Sequence, residues 1–152
     1  MKIRFEVDPT LEEDEVTIRS KSADGPARRV QQYALEQAAS PPKLVFYKEE
    51  QEFFLPLAEI LFFETEGEAV WAHTATDAYR TKHRLYELEG FLPFVFFRSS
   101  KSTIVNTAKI YSIQRDITSA SRISFAGTHK QVYASRRYYA ALRQRILDVG
   151  AL

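Results

Sequence analysis

FFRSSKSTIVN, residues Phe96 to Asn106, decides how this 152-residue chain is read, together with YASRRYYAAL, residues Tyr133 to Leu142. Each segment sets polar and cationic residues beside apolar ones that would anchor them to a core. In the first these are Arg98, Ser99, Ser100 and Lys101; in the second they are Ser135, Arg136 and Arg137. Cations held on such an anchored edge suit a surface that grips phosphates and base edges.

Outward from these segments the texture is of short apolar, aromatic and β-branched runs with few glycines. LVFYKE, EFFLPL, EILFFETE, AVWAHTA and DAYRTKH read as strands or strand ends, with Gly67 and its acidic neighbours marking a turn before Val70 and Trp71. Leu85, Leu88, Phe91 and Leu92 recur at helical spacing in HRLYELEGFLP, predicting one short amphipathic helix closed near Pro93. FVFFRSS, TIVN, KIYSIQRD, RISFAG and KQVYAS resume the strand pattern, with Ala126-Gly127-Thr128 as a hairpin turn, and a last helix runs from Tyr138 to Leu147. The fold class expected is α+β, mainly β, over residues 43–152.

Residues 1–42 read as a separate strand, strand, helix extension. KIRFEV alternates with Ile3, Phe5 and Val7 on one face, and EVTIR repeats the alternation with Val16 and Ile18. Pro9 and the acidic run from Glu12 to Glu15 separate them, and Asp24-Gly25-Pro26 is a strong stop. From Ala27 to Ala39 the composition favours a helix with Val30, Tyr33, Ala34 and Gln37 on one face, ended by Ser40-Pro41-Pro42.

Net charge is only +1, but the average conceals an asymmetry. From Arg98 onward, ten of the 21 basic residues stand against two of the 20 acidic ones, so the remainder of the chain is acidic. A basic block draws a polyanion by counterion release, while the acidic remainder discourages indiscriminate sticking; plain solvated surface charge is the alternative. With 45% apolar residues the chain can bury a core. It has no cysteine, which excludes disulfides, thiolate metal sites and a cysteine nucleophile. MKIRFEVDPTLEEDEV lacks the apolar run of a signal peptide, and nothing approaches the roughly 18 apolar residues of a membrane span, so a cytoplasmic protein is expected.

Enzymatic chemistry finds no support. His73, His83 and His129 are isolated from one another and from carboxylates at ligand spacing, the five glycines are scattered, and no nucleophile elbow surrounds any serine. No metal, cofactor or small-molecule substrate is therefore expected. Phe53, Phe54, Phe62, Phe63, Phe94, Phe96 and Phe97 alternate densely, which favours core packing over base stacking.

The FFRSSKSTIVN and SRR segments resemble the signature of the LytTR DNA-binding domain of bacterial transcription regulators. The resemblance covers about Lys43 to Leu147 and extends to the order of the pieces: an I-x-F-x-E strand, a turn, a strand ending in a polar loop, a leucine-bearing helix, the F-x-R strand and an I-x-x-I continuation. It implies a mostly β domain that sends loops into successive major grooves of double-stranded promoter DNA and reads paired repeats, with a homodimer as the expected state. Residues before 43 leave no room for a phospho-acceptor receiver domain, so switching by aspartyl phosphorylation is not expected. The extension resembles that of compact members found with small membrane proteins, which implies dimerisation or capture by such a partner.

Residue by residue, the resemblance aligns Arg137 with the family's base-reading arginine, whose guanidinium would offer guanine a bidentate pair. Arg136 is a phosphate contact or a plain surface arginine. Lys101 stands where family members often carry asparagine or arginine in the loop that approaches DNA. Ser100 stands where histidine is frequent, and its hydroxyl can still reach a phosphate. Ser135 opens the serine-arginine-arginine segment, and His129 lies in a basic hairpin as a DNA contact or an exposed turn residue. Arg98 is expected to tie the sheet to a carboxylate such as Glu64, and Asn106 to terminate a strand through its own side-chain hydrogen bonds. The turn Glu66-Gly67-Glu68-Ala69 is acidic where the family often places a polar or basic residue. A protein-interaction module with a basic face, without DNA specificity, is the competing reading, and no RNA-binding module signature is present.

Overall fold

The computed structural model describes residues 1–38 and 44–150. Ten strands and three helices follow in the order α1 (Pro26–Ala38), β1 (Phe46–Lys48), β2 (Gln51–Phe53), β3 (Phe62–Glu66), β4 (Ala69–His73), β5 (Ala78–Thr81), α2 (Leu85–Phe91), β6 (Phe96–Ser100), β7 (Thr103–Asn106), β8 (Ile110–Gln114), β9 (Ser121–Phe125), β10 (Gln131–Ala134) and α3 (Arg136–Gly150). Seven strands form one antiparallel sheet in the order β2-β1-β5-β4-β3-β7-β6, and β10-β9-β8 form a second.

Adjacent apolar residues explain the layering. Successive side chains of a strand point to opposite faces, so Phe62 and Phe63 on β3, and Ile104 and Val105 on β7, bury both faces of the large sheet. Phe63 and Ile104 join Phe46, Val70, Ala72 and Phe96 beneath Leu85 and Leu88 of α2. Phe62 and Val105 join Ile123, Phe125 and Val132 of the second sheet and Leu142 of α3. Rings lock each layer: Phe63 lies 5.7 Å from Phe96, and Phe62 lies 5.6 Å from Phe125 between centroids. Phe62, Phe63 and Phe96 form this core as the aromatic runs implied, with Phe53 and Phe97 packed against it. Phe54, however, is 69% exposed, because a neighbour of the inward-facing Phe53 points out, and Phe94 packs on Arg145 outside both layers. Of the four residues that predicted α2, Leu85 and Leu88 are buried.

Turns sit where the punctuation placed them. Glu66 pairs with Ala69, leaving Gly67 and Glu68 as a two-residue connection, and Gly67 has φ 61°, which a residue with a Cβ adopts at a cost. Gly127, with φ 75°, turns the chain between β9 and β10.

The N-terminal extension departs from expectation. No strand forms between residues 1 and 25; Ile3, Phe5, Val7 and Val16 are all exposed. The physical reason is cross-strand charge. Antiparallel hairpin registers that match Phe5 with Val16 or with Ile18 set Lys2 against Arg19 or Lys21 and set two acids against each other, and like charges directly opposite destabilise a ladder. The helix does form, but its apolar stripe faces the body only in part: Val30 and Tyr33 are exposed and Ala34 is half-buried, as are Arg29, Gln32 and Glu36. Glu36 instead accepts a hydrogen bond from the Phe94 amide, so α1 is anchored by a polar contact. The side chain of Gln37 and the predicted stop at Ser40-Pro41-Pro42 lie outside the described residues.

Candidate nucleic-acid interface

The β6–β7 hairpin carries Lys101 at its tip. Arg98 pairs with Ile104 and Ser100 with Thr103, so Ser99 is the extra residue of a bulge. A bulge bends the strand and re-aims its side chain. Ser99, fully buried, accordingly turns away from the ladder and donates to the Tyr133 carbonyl at 3.1 Å. Its own carbonyl accepts from the Ser135 amide at 2.9 Å. These two bonds clasp the hairpin tip to the β10–α3 corner, although 34 residues separate the partners of the first.

Arg98 supports the tip from below. Its Nε donates to Glu89 of α2 at 2.5 Å, and its guanidinium also reaches the Lys101 carbonyl. The expected structural role is therefore present, with Glu89 rather than Glu64 as the carboxylate. Glu64 lies on β3 opposite Thr103, and its carboxyl is pushed up by burial and then by Glu66. Ser100 Oγ accepts from the Ser102 amide at 3.3 Å, closing the tip and leaving Lys101 and Ser102 exposed.

At the corner, Ser135 precedes α3 and its carbonyl accepts from the Tyr138 and Tyr139 amides at 3.0 Å each. The helix begins at Arg136, two residues earlier than expected, and continues to Gly150. Arg136 and Arg137 are thus exposed in its first turn, where no acidic residue accompanies them. Cations at the positive end of a helix repel its dipole, so the arrangement costs stability until an anion lies across it. Ser135 Oγ is buried without a hydrogen-bond partner among the described residues. Arg115 lies over the Tyr139 ring at 4.8 Å, and together with Arg136 it lines a hollow of about 140 Å³ beside the corner.

The six candidate contacts therefore separate into two groups. Ser100 and Lys101 meet Ser135, Arg136 and Arg137 across the Ser99 clasp. His129 stands at the far end of β10, roughly 20 Å from Ser135 at about 3.3 Å per extended residue. Its hairpin is tied to the β4–β5 turn, where Thr128 donates to the Ala75 carbonyl at 2.8 Å and Lys130 Nζ lies 3.2 Å from His73 Nδ1. Burial and then the Lys130 charge push His73 down to about 4, so it is a neutral acceptor for Lys130. Asn106 is also removed from any surface role: it is buried, donates to the Ile60 carbonyl at 3.0 Å and accepts from the Ala108 amide at 3.2 Å, as a strand terminator should.

The sequence reading marked the acidic turn but not its neighbour, and it missed Arg145 altogether. The acidic turn lies beside the basic tip, because Thr65 donates to the Ser102 carbonyl at 2.9 Å and brings Glu66 and Glu68 alongside. Arg145 on α3 is held between rings, 3.9 Å from Phe94 and 4.6 Å from Phe97, and borders a groove of about 900 Å³ beneath α1. Its spacing from the corner gave no signal, since Phe94 and Phe97 lie about fifty residues earlier. No three residues among the described His, Asp and Glu converge as a metal site, and no described helix is long and apolar enough to cross a membrane.

The family of the LytTr DNA-binding domain matches residues 50–147, which hold β2 to β10, α2 and the basic corner. The chain belongs to that family. An HTH-type transcriptional regulator of Staphylococcus aureus (strain NCTC 8325 / PS 47), itself uncharacterized, is 32% identical over 103 residues, covering 68% of this chain and 69% of the relative. A relative from strain MRSA252 is 31% identical over the same length. A solved LytTr DNA-binding domain from Bacillus cereus shares the fold with a TM-score of 0.61 and 24% identity, covering 68% of this chain and 97% of that one. Every helix of this LytTR chain is separated from the next by strands, so the described residues contain no helix-turn-helix pair. The DNA-binding domain is accordingly a mostly β scaffold with a basic edge made by a hairpin tip and a helix start.

Proposed function

We propose that this chain is a cytoplasmic transcriptional regulator that recognises paired repeats in double-stranded promoter DNA and acts by binding rather than catalysis. The observation that carries the reading is the Ser99 clasp, which ties the hairpin that bears Lys101 to the corner that bears Arg136 and Arg137. Arg137 reads a guanine through a bidentate pair. Lys101, Arg136 and Ser100 hold phosphates and set the register, whereas Ser135, whose hydroxyl is buried, positions the start of α3 through its backbone instead of touching DNA as the resemblance implied. His129 touches DNA only if the duplex runs the length of β10, and is otherwise an exposed turn residue. Residues 1–42 form a dimerisation or regulatory extension, which a small membrane protein can capture, and two copies occupy the two repeats.

Binding to duplex DNA at two salt concentrations tests this. Lys101→Ala and Arg136→Ala are expected to weaken all sequences alike and to lower the salt slope by about one each, whereas Arg137→Ala removes about 1–3 kcal/mol of sequence preference. Salt-insensitive binding, or equal preference in wild type and Arg137→Ala, would replace this reading with that of a protein-interaction module.

A further inference from the structure

Residues 2–8, Lys-Ile-Arg-Phe-Glu-Val-Asp, carry three apolar side chains on one alternating face and find no partner among the described residues. Ile3, Phe5 and Val7 are 88%, 93% and 74% exposed, and the hydrogen bonds of this segment are local ones at the Asp8 turn, such as Thr10 to Asp8 at 2.9 Å. The other face is ordered by sign: Lys2 and Arg4 precede Phe5, and Glu6 and Asp8 follow it. Such a segment is complementary to itself when run antiparallel.

We propose that two copies of this chain dimerise by antiparallel pairing of residues 2–8 about a two-fold axis at Phe5. In this register Phe5 opposes Phe5 of the second copy, Ile3 opposes Val7, Arg4 opposes Glu6 and Lys2 opposes Asp8. A two-fold contact is isologous, so every pair occurs twice except Phe5 with Phe5, which lies on the axis. The register is singled out by charge. Shifting it by one residue pair puts Arg4 against Arg4 or Glu6 against Glu6, and a parallel arrangement opposes like charges throughout. The same test excludes the intramolecular hairpin with residues 15–21, as described above, so the segment is free for a second copy. Asp8 already accepts from Thr10, and its remaining lone pairs serve Lys2.

A two-stranded pair is weak by itself, so the dimer is concentration-dependent and strengthens when both bodies sit on adjoining repeats. The inference deepens the reading that two copies act together, and it does not depend on which DNA is recognised.

Sedimentation velocity of the full chain without DNA tests it. Arg4→Glu converts two attractive pairs into two repulsive ones and is expected to raise the dimer dissociation constant on the order of tenfold, and Arg4→Glu with Glu6→Arg restores it. Because native cysteine is absent, Phe5→Cys is expected to give a disulfide-linked dimer on mild oxidation, while Ile3→Cys does not. A dimer indifferent to Arg4→Glu, failure of the double variant to restore it, or equal cross-linking through Ile3→Cys overturns the arm pairing alone. A chain that stays monomeric at every concentration overturns the homodimer as well.

Discussion

Asn106→Ala separates a structural role from a DNA contact at the end of β7. The substitution deletes the donor to the Ile60 carbonyl and the acceptor for the Ala108 amide. Ile60 is fully buried, so its carbonyl is left without that donor where water does not reach, at a cost of about 1–3 kcal/mol. Ala108 is exposed and can exchange its lost partner for water, adding about 0.5–1 kcal/mol. With the small void left by the amide, the loss is about 2–4 kcal/mol, a large share of the stability of a domain this size. Urea unfolding followed by far-ultraviolet circular dichroism measures it as a shift in midpoint at constant slope. Asn106→Asp keeps the acceptor and places a carboxylate against the Ile60 carbonyl, so it is expected to be at least as damaging. The folded fraction of either variant retains the wild-type sequence preference. A loss below about 0.5 kcal/mol, or a changed preference, would refute the structural assignment.

Three further outcomes follow from the same geometry. His73 is held down to about 4 in the folded protein against an ordinary value of 6.5, so the folded state binds fewer protons; its contribution is complete above about pH 6.5 and is lost as pH falls towards 4. Urea midpoints between pH 7.5 and 4.5 are expected to fall more steeply in wild type than in His73→Gln, and parallel profiles would contradict the assignment. Glu66→Gln and Glu68→Gln each remove a negative charge beside the Lys101 tip and are expected to raise affinity for every duplex on the order of threefold at low salt, read by fluorescence anisotropy; no change means that the acidic turn faces away from phosphate. Arg98→Gln breaks the Glu89 pair and the support of the Lys101 carbonyl, and is expected to weaken DNA binding without changing the salt slope, whereas a slope reduced by about one would make Arg98 a phosphate contact.

The fold was largely legible because its signals are local. Phe62-Phe63 and Ile104-Val105 mark strands buried on both faces, Gly67 and Gly127 mark turns that need positive φ, and Leu85 with Leu88 marks the helix that covers the first layer. The N-terminal segment shows where local signals stop. Its alternation is real, but a strand exists only with a partner, and charge denies it one inside the chain. The face of α1 was misjudged for a related reason: hydrophobic periodicity predicts what a helix would bury, while the Glu36 carboxylate bound to the Phe94 amide decided what it does bury. At the basic edge, residue types and spacing pointed to Lys101, Arg136 and Arg137. Their convergence depends on the Ser99 bulge and on bonds between distant segments, which no local pattern encodes. Arg98 likewise found a carboxylate, but the fold offered Glu89 of α2 in place of Glu64.

The central claim is sequence-specific recognition by the edge that Ser99 clasps together. Its most direct test is selection of duplex DNA from a random pool by the purified chain, followed by binding of Arg137→Ala to the winning sequence and to random duplex. Enrichment of a paired-repeat motif that Arg137→Ala no longer distinguishes from random duplex is the predicted result. A pool that stays unenriched after repeated rounds, with only weak salt-sensitive binding, would contradict it.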